Sequence, residues 1–234
     1  MRATVCLPTY DERANVERML RALAEVLRDG DRVLVIDDSS PDGTGELADE
    51  LARVLPFVSV LHRAQKEGLG PAYIAGFRRA LDEGAELVLE MDCDFSHDPQ
   101  DVPRLIAAVE EGADIAIGSR YVPGGRVGDW GLVRRAISRG GSLYTALFLH
   151  MGVKDPTAGF KCIRRRVLET IDPDTISSKG YAFQIETTYR AKRAGFRIVE
   201  IPITFDDRVT GVSKMNRRIV LEAVWRVPLL RLGR

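Results

Sequence analysis

Apolar and polar positions along the first half of the chain switch repeatedly between a period of two and a helical period. Ala3-Thr4-Val5-Cys6-Leu7 is a short β-favouring run that stops at Pro8. Val16, Met19, Leu20, Leu23 and Leu27 then recur at helical spacing, and the face they form ends near Gly30. Val33-Leu34-Val35-Ile36 is free of charge and β-branched, as expected of a strand covered on both faces. The polar turn Asp37-Asp38-Ser39-Ser40-Pro41-Asp42-Gly43 should cap a helix reaching about Leu55. The same reading predicts strands over 57–61, 86–91 and 113–118 and helices over 71–81 and 102–111.

Strands alternating with helices imply right-handed crossovers and a parallel sheet. Ligands of such sheets bind beyond the C-terminal ends of the strands. Acids follow the first, second and fourth strands (Asp11 and Glu12, Asp37 and Asp38, Asp92 and Asp94), so all are expected on one edge. After Gly118 the pattern loosens. A glycine-rich loop over 121–131 precedes a predicted helix pair over 134–151, broken at Gly140-Gly141. Extended chain over 155–163, a helix over 181–192 and a strand over 197–203 follow. The expectation is an α/β fold with a mostly parallel central sheet flanked by helices, in one domain spanning 1–234. Residues 1–120 would form its first half, and 121–234 a substrate-facing second half.

Composition narrows the function. Acids and bases balance at 34 each, so no global charge marks a nucleic-acid partner. Residues 208–234 nevertheless hold seven bases against one acid, a basic tail suited to a phosphate or an anionic surface. Cys6, Cys93 and Cys162 are widely spaced and read as reduced thiols of a cytoplasmic protein, with Cys6 and Cys93 packed as small hydrophobes. The N-terminus enters a strand without an apolar leader, so no signal peptide is expected. The uncharged stretch over 140–153 is shorter than the roughly 20 residues of a membrane span.

Familiar cofactor loops are missing. The first strand-to-helix turn, Leu7 to Glu12, has no glycine, and Gly68-Leu69-Gly70 is only a weak echo of a dinucleotide fingerprint. No Gly-Lys-Ser/Thr occurs, which removes a P-loop. Acids in place of glycines change the chemistry. A carboxylate repels phosphate, but it accepts hydrogen bonds from a base or ribose, or holds a cation that binds a diphosphate. Asp37 and Asp38 suit the first role; Asp38 is equally placed to cap the following helix. Asp92 and Asp94 alternate to the same side of an extended chain and suit the second, although an Asp-x-Asp pair also occurs as a solvated turn.

Four segments combine these features: Leu7-Pro8-Thr9-Tyr10-Asp11-Glu12-Arg13-Ala14-Asn15, Val35-Ile36-Asp37-Asp38-Ser39-Ser40-Pro41-Asp42-Gly43-Thr44, Lys66-Glu67-Gly68-Leu69-Gly70 and Met91-Asp92-Cys93-Asp94-Phe95-Ser96-His97-Asp98-Pro99. In this order they resemble the inverting family-2 glycosyltransferases of the GT-A fold. Gly118-Ser119-Arg120-Tyr121, the run from Asp155 to Lys161, that from Gly180 to Glu186, and Arg208 through Lys214 resemble, within that family, the polyprenol- or dolichol-phosphate mannose synthases.

The resemblance implies mannose transfer from GDP-mannose to a polyprenyl (dolichyl) phosphate. It places Pro8, Tyr10, Glu12, Ile36 and Asp38 around the guanosine. Asp92, Cys93 and Asp94 would meet ribose, diphosphate and a Mg²⁺ or Mn²⁺ ion; Ser96 stands where some members carry a glutamine ligand. Arg120, Arg208 and Lys214 would hold donor phosphates, and Arg120 with Arg134 and Arg135 the acceptor phosphate. Asp92, Asp94 and Arg120 are thus the expected catalytic set. His97 reads as a structural histidine; His62 and His150 receive no role. Leu143, Tyr144, Leu147, Phe148 and Leu149, beside Arg134, Arg135 and Arg139, form a greasy patch for a membrane surface. The tail over 215–232 reads as an amphipathic helix, either interfacial or packed on the sheet. A peripheral position on the cytoplasmic membrane face follows, and because some members are tethered by membrane subunits, such a subunit is among the implied partners. The rival readings are a UDP-sugar-dependent hexosyltransferase and a non-catalytic nucleotide-sugar-binding module.

Overall fold

The computed structural model describes residues 1–128, 130–176, 178, 180–206, 227–228 and 230–231. Helices and strands alternate as β1 (Ala3–Thr9), α1 (Arg13–Val26), β2 (Arg32–Asp37), α2 (Thr44–Val54), β3 (Val58–His62), α3 (Leu69–Asp82), β4 (Leu87–Glu90), α4 (Val102–Glu110) and β5 (Ile115–Ser119). The later elements are β6 (Arg126–Val127), α5 (Leu132–Phe148), β7 (Lys161–Arg164), α6 (Arg165–Ile171), α7 (Gly180–Arg193), β8 (Ile198–Pro202) and β9 (Thr204–Phe205).

The seven-stranded sheet has the order β3-β2-β1-β4-β7-β5-β8, so strands from both halves of the chain share it. Every pairing in it is parallel except those of β7, which runs against both β4 and β5. Period-two alternation divides the core. Val5, Leu7, Val33, Val35, Leu87 and Leu89 face α1 and α4, whose buried faces include Met19, Leu20, Leu105 and Val109. Cys6, Leu34, Ile36, Val88, Ile117 and Ile163 face the other way, onto Tyr73 and Phe77 of α3 and Phe183 of α7. Tyr73 and Phe183 stack with centroids 6.0 Å apart.

Three expectations differ from the structure. Residues 134–151 do not form a broken pair: α5 runs through Gly140 and Gly141, where an added Cβ would meet nothing within 4 Å. The glycines therefore mark an open flank of the helix and not a break. The extended region over 155–163 becomes a strand only from Lys161 on, with turns before it. The predicted helix starting at Asp37–Gly43 begins at Thr44, where Asp42 Oδ1 accepts the Thr44 amide at 3.0 Å. Asp38 does not cap it.

Candidate active site

β1, β2 and β4 end side by side, and each is followed by a residue forced into the left-handed region: Asp11 (φ 55°), Ser39 (φ 62°) and Phe95 (φ 61°). Such turns cost free energy in non-glycine residues and concentrate at functional rims. They fold the chain back at once, leaving the preceding side chains at the sheet edge. A cavity of about 450 Å³ opens there, within the range of small-ligand sites. Pro8, Tyr10, Glu12, Asp38, Asp92, Cys93, Asp94 and Arg120 all line it. Of the acids read along the sequence, Glu12, Asp38, Asp92 and Asp94 are gathered here, whereas Asp11 and Asp37 do not line the cavity.

Their supports are specific. The buried Asp38 carboxylate pairs with Arg63 and accepts the amides of Glu67 (3.3 Å) and Gly68 (2.9 Å), pinning the loop that starts α3. Glu12 accepts from Asn15 Nδ2 at 2.8 Å while its own amide donates to Thr44 Oγ1. Lys66 also lines the cavity, with its ammonium 3.3 Å from the centre of the Tyr10 ring. Asp94 is buried, and its Oδ1 accepts the Ser96 amide at 3.0 Å. His97 is buried against Phe160, 4.9 Å between ring centres, and its Nδ1 accepts the Asp92 amide at 3.2 Å. Burial lowers its pKa to about 4, so at neutral pH the ring is uncharged with its proton on Nε2. This is a structural histidine.

The resemblance to family-2 glycosyltransferases implies a divalent cation, and the donors fit one. Asp92 and Asp94 offer hard oxygen atoms on one wall, and Ser96 Oγ is buried without a hydrogen-bond partner beside them. Among the described residues no cluster of three acids, histidines or cysteines forms an all-protein cage. Two carboxylates completed by diphosphate oxygens and water is how Mg²⁺ is commonly held.

Arg120 lines the same cavity. Its Nε and Nη2 donate to Asp155 at 2.7 Å each, and Nη2 also donates to Thr157 Oγ1 at 2.9 Å. Arg134 lies over the Trp130 ring at 4.0 Å, and Arg120 lies 6.0 Å from the centre of that ring. Arg134 is thus brought near Arg120. Arg135 donates to the Gly128 carbonyl at 2.8 Å instead. Ile36 is fully buried and does not line the cavity; neither do Ser96, Arg134 and Arg135. Arg208, Lys214 and most of the basic tail lie outside the described residues.

The sequence reading missed Asp155, Trp130, Lys66 and Gln184. A buried acid such as Asp155 needs a cationic partner, but nothing local to it names a partner 35 residues away.

Residues 4–172 match the family model described as glycosyl transferase family 2. The chain belongs to that family. The polyprenol monophosphomannose synthase of Mycolicibacterium smegmatis is 49% identical over 231 residues, covering 97% of this chain and 85% of the relative. The undecaprenyl-phosphate mannosyltransferase of Micrococcus luteus is 50% identical over 224 residues, covering 96% and 91%. Among solved structures, glucosyl-3-phosphoglycerate synthase from Mycobacterium tuberculosis, in complex with Mn²⁺, UDP and glucosyl-3-phosphoglycerate, superposes with TM-score 0.70 at 20% identity, covering 99% of this chain and 80% of that one. The mannosyltransferase PcManGT from Pyrobaculum calidifontis, in complex with GDP-Man and Mn²⁺, gives TM-score 0.63 at 18% identity, covering 89% and 57%. These establish the GT-A-like fold of this family-2 glycosyltransferase.

Proposed function

We propose that this glycosyltransferase moves mannose from GDP-mannose to a polyprenyl monophosphate with inversion, giving the β-mannosyl phosphate. The observation that carries the reading is one cavity lined both by a pair of carboxylates and by a clamped arginine. The names of relatives about half identical over nearly the whole chain supply the sugar and the lipid.

In this reading residues 1–234 act as one unit. Pro8, Tyr10, Glu12, Ile36 and Asp38 shape the nucleoside end, Ile36 from beneath. Asp92 and Asp94 hold a Mg²⁺ or Mn²⁺ ion, which when bound neutralises charge on the departing diphosphate. Ser96, from behind Asp94, and the Cys93 backbone complete that wall. Arg208 and Lys214 reach donor phosphates. Arg120, with Arg134 and Arg135, orients the acceptor phosphate, since a guanidinium meets phosphate bidentately.

No general base is required. A phosphate monoester has a second pKa of about 6, so the attacking oxygen is already anionic near neutrality. The task left to the protein is to hold two anions together and to let GDP go. His97, uncharged and held by the Asp92 amide, fits this division of labour.

No helix among the described residues is long and apolar enough to cross a membrane. A lipid acceptor is then reached from a surface, and the outer face of α5 offers Leu132, Val133, Ile137, Leu143 and Leu147 to it. We place the enzyme at the cytoplasmic face, with a membrane subunit as a further anchor.

Incubation with polyprenyl phosphate, Mg²⁺ or Mn²⁺ and labelled GDP-mannose or UDP-glucose tests the reading. Label is expected in the organic phase from GDP-mannose. Label from UDP-glucose alone would assign a UDP-hexose donor; no transfer with nucleotide binding intact would assign a binding module.

A further inference from the structure

Three polar side chains meet beneath the cavity on the α3/α7 side of the sheet. Glu90 and Lys161 are cross-strand partners on β4 and β7, both fully buried, with Lys161 Nζ 3.8 Å from Glu90 Oε2. Lys161 Nζ also donates to the main-chain oxygen of Gln184 at 3.1 Å and to its Oε1 at 2.5 Å. Burial pushes the Glu90 carboxyl up, and Lys161 and Gln184 partly offset that. A buried ion pair contributes little net stability, because desolvation cancels the attraction. Its effect on Gln184 is more informative.

An ammonium has donors and no acceptor, so it dictates which end of the carboxamide it meets. The Gln184 oxygen faces Lys161, and the NH₂ group points elsewhere. That nitrogen is buried and lies near Glu90 without reaching hydrogen-bond distance of any acceptor, and Gln184, only 1% exposed, lines the cavity. With two hydrogens, it can turn one to Glu90 and still present the other to a ligand.

The recess beside it is kept open by Gly159, which also lines the cavity. A Cβ there would stand 3.7 Å from Gln184 Nε2 and 4.0 Å from His97 Cε1, with nothing closer. The recess connects to both the carboxylates and Arg120. His97 takes the Asp92 amide, while Thr157, two residues before Gly159, takes a hydrogen bond from Arg120. A sugar passing from a diphosphate at Asp92 and Asp94 to a phosphate at Arg120 must lie between them.

We propose that Gln184, oriented by Lys161, donates an Nε2–H hydrogen bond to a hydroxyl of the transferred hexose, in a recess that Gly159 keeps open. This deepens the proposed function and rests on it.

The test separates sugar from nucleotide. Titration calorimetry with Mn²⁺ measures the affinity of wild type, Gln184→Met and Gly159→Ala for GDP and for GDP-mannose, alongside kcat/KM for transfer. Met keeps the length and helix compatibility of Gln but removes the donor; Ala fills the recess without touching backbone. Both variants are expected to bind GDP-mannose roughly tenfold more weakly, with kcat/KM falling at least as far and GDP affinity unchanged. Unchanged GDP-mannose affinity and kcat/KM, or an equal loss for GDP, would overturn the inference. If Gln184→Met does not fold, Gly159→Ala decides alone. Failure of the wild type itself to bind or use GDP-mannose would instead overturn the functional reading beneath it.

Discussion

Asp155 grips Arg120 three times: its carboxylate accepts Nε and Nη2 at 2.7 Å and the Arg120 amide at 3.0 Å. Asp155 is fully buried, and its own amide donates to Glu200 at 2.9 Å, so the guanidinium is held by a group that is itself held. Removing one partner of a buried pair leaves an uncompensated charge. Asp155→Ala should therefore lower stability by about 3–5 kcal/mol, read by chemical denaturation. Asp155→Asn keeps the shape but gives up a charged contact; the resulting misplacement of Arg120 should reduce kcat by roughly a hundredfold. Wild-type turnover in Asp155→Asn would show that Arg120 does not need this clamp.

Asp94 is the buried member of the carboxylate pair and is held by the Ser96 amide at 3.0 Å. Asp94→Asn preserves that hydrogen bond while removing the charge a cation requires. Transfer should fall by at least roughly a hundredfold, the scale of losing one electrostatic contact to the reacting groups. Calorimetry should show Mn²⁺ no longer strengthening GDP binding. Chelation of wild type by EDTA should produce the same loss, restored by added metal. Full turnover of Asp94→Asn at saturating metal would end this role for the residue.

The parts of this molecule written into local patterns were readable. β1, β2 and β4 are short apolar runs with acids at or just after their ends, and the strand–helix order of a parallel sheet put those acids on one edge. Strand direction is not a local property. Lys161–Arg164 looks like any short strand, and its antiparallel insertion between β4 and β5 depends on the path of the chain around it. Gly140-Gly141 signals a break by propensity, yet α5 continues because Ser142 and Thr145 are buried on its inner side. Likewise Asp38 reads as a cap for the next helix, whereas its partners are Arg63 and the Gly68 amide. Long-range pairing decides such cases.

His62, at the end of β3, gives a pH-dependent observable remote from the transfer chemistry. Its Nε2 meets Asp49 at 3.0 Å, and its Nδ1 lies 3.8 Å from Asp37. The hydrogen bond to Asp49 is the main cause that raises its pKa above the ordinary value of 6.5. Because the folded state binds this proton more tightly, the associated stability is fully present below 6.5 and fades as pH rises through the raised folded value. The ring is about half exposed, so the effect on melting temperature should be small. An NMR titration should place the His62 midpoint above 6.5 in wild type and lower in Asp49→Asn. Identical midpoints would remove Asp49 as the cause.

The outer face of α5 supplies the most direct test of surface attachment. Leu143 and Leu147, one turn apart, are 57% and 65% exposed, and Leu132 and Val133 at the start of the helix are exposed as well. Tyr144 packs against Phe148 with the rings tilted, and Arg231 donates to the Phe148 carbonyl at 2.9 Å, which sets a cation beside the apolar strip. Large aliphatic side chains left in water gain roughly 1.5–3 kcal/mol each when buried, and a neighbouring cation adds attraction to anionic headgroups. The double variant Leu143→Ser/Leu147→Ser should therefore bind anionic vesicles at least roughly tenfold more weakly in co-sedimentation. Neither side chain lines the cavity, so GDP affinity should not change. Raised salt should weaken wild-type binding further by screening the arginines. Equal sedimentation of variant and wild type would mean that α5 is not the face that meets lipid, and would move the search to residues 207–226.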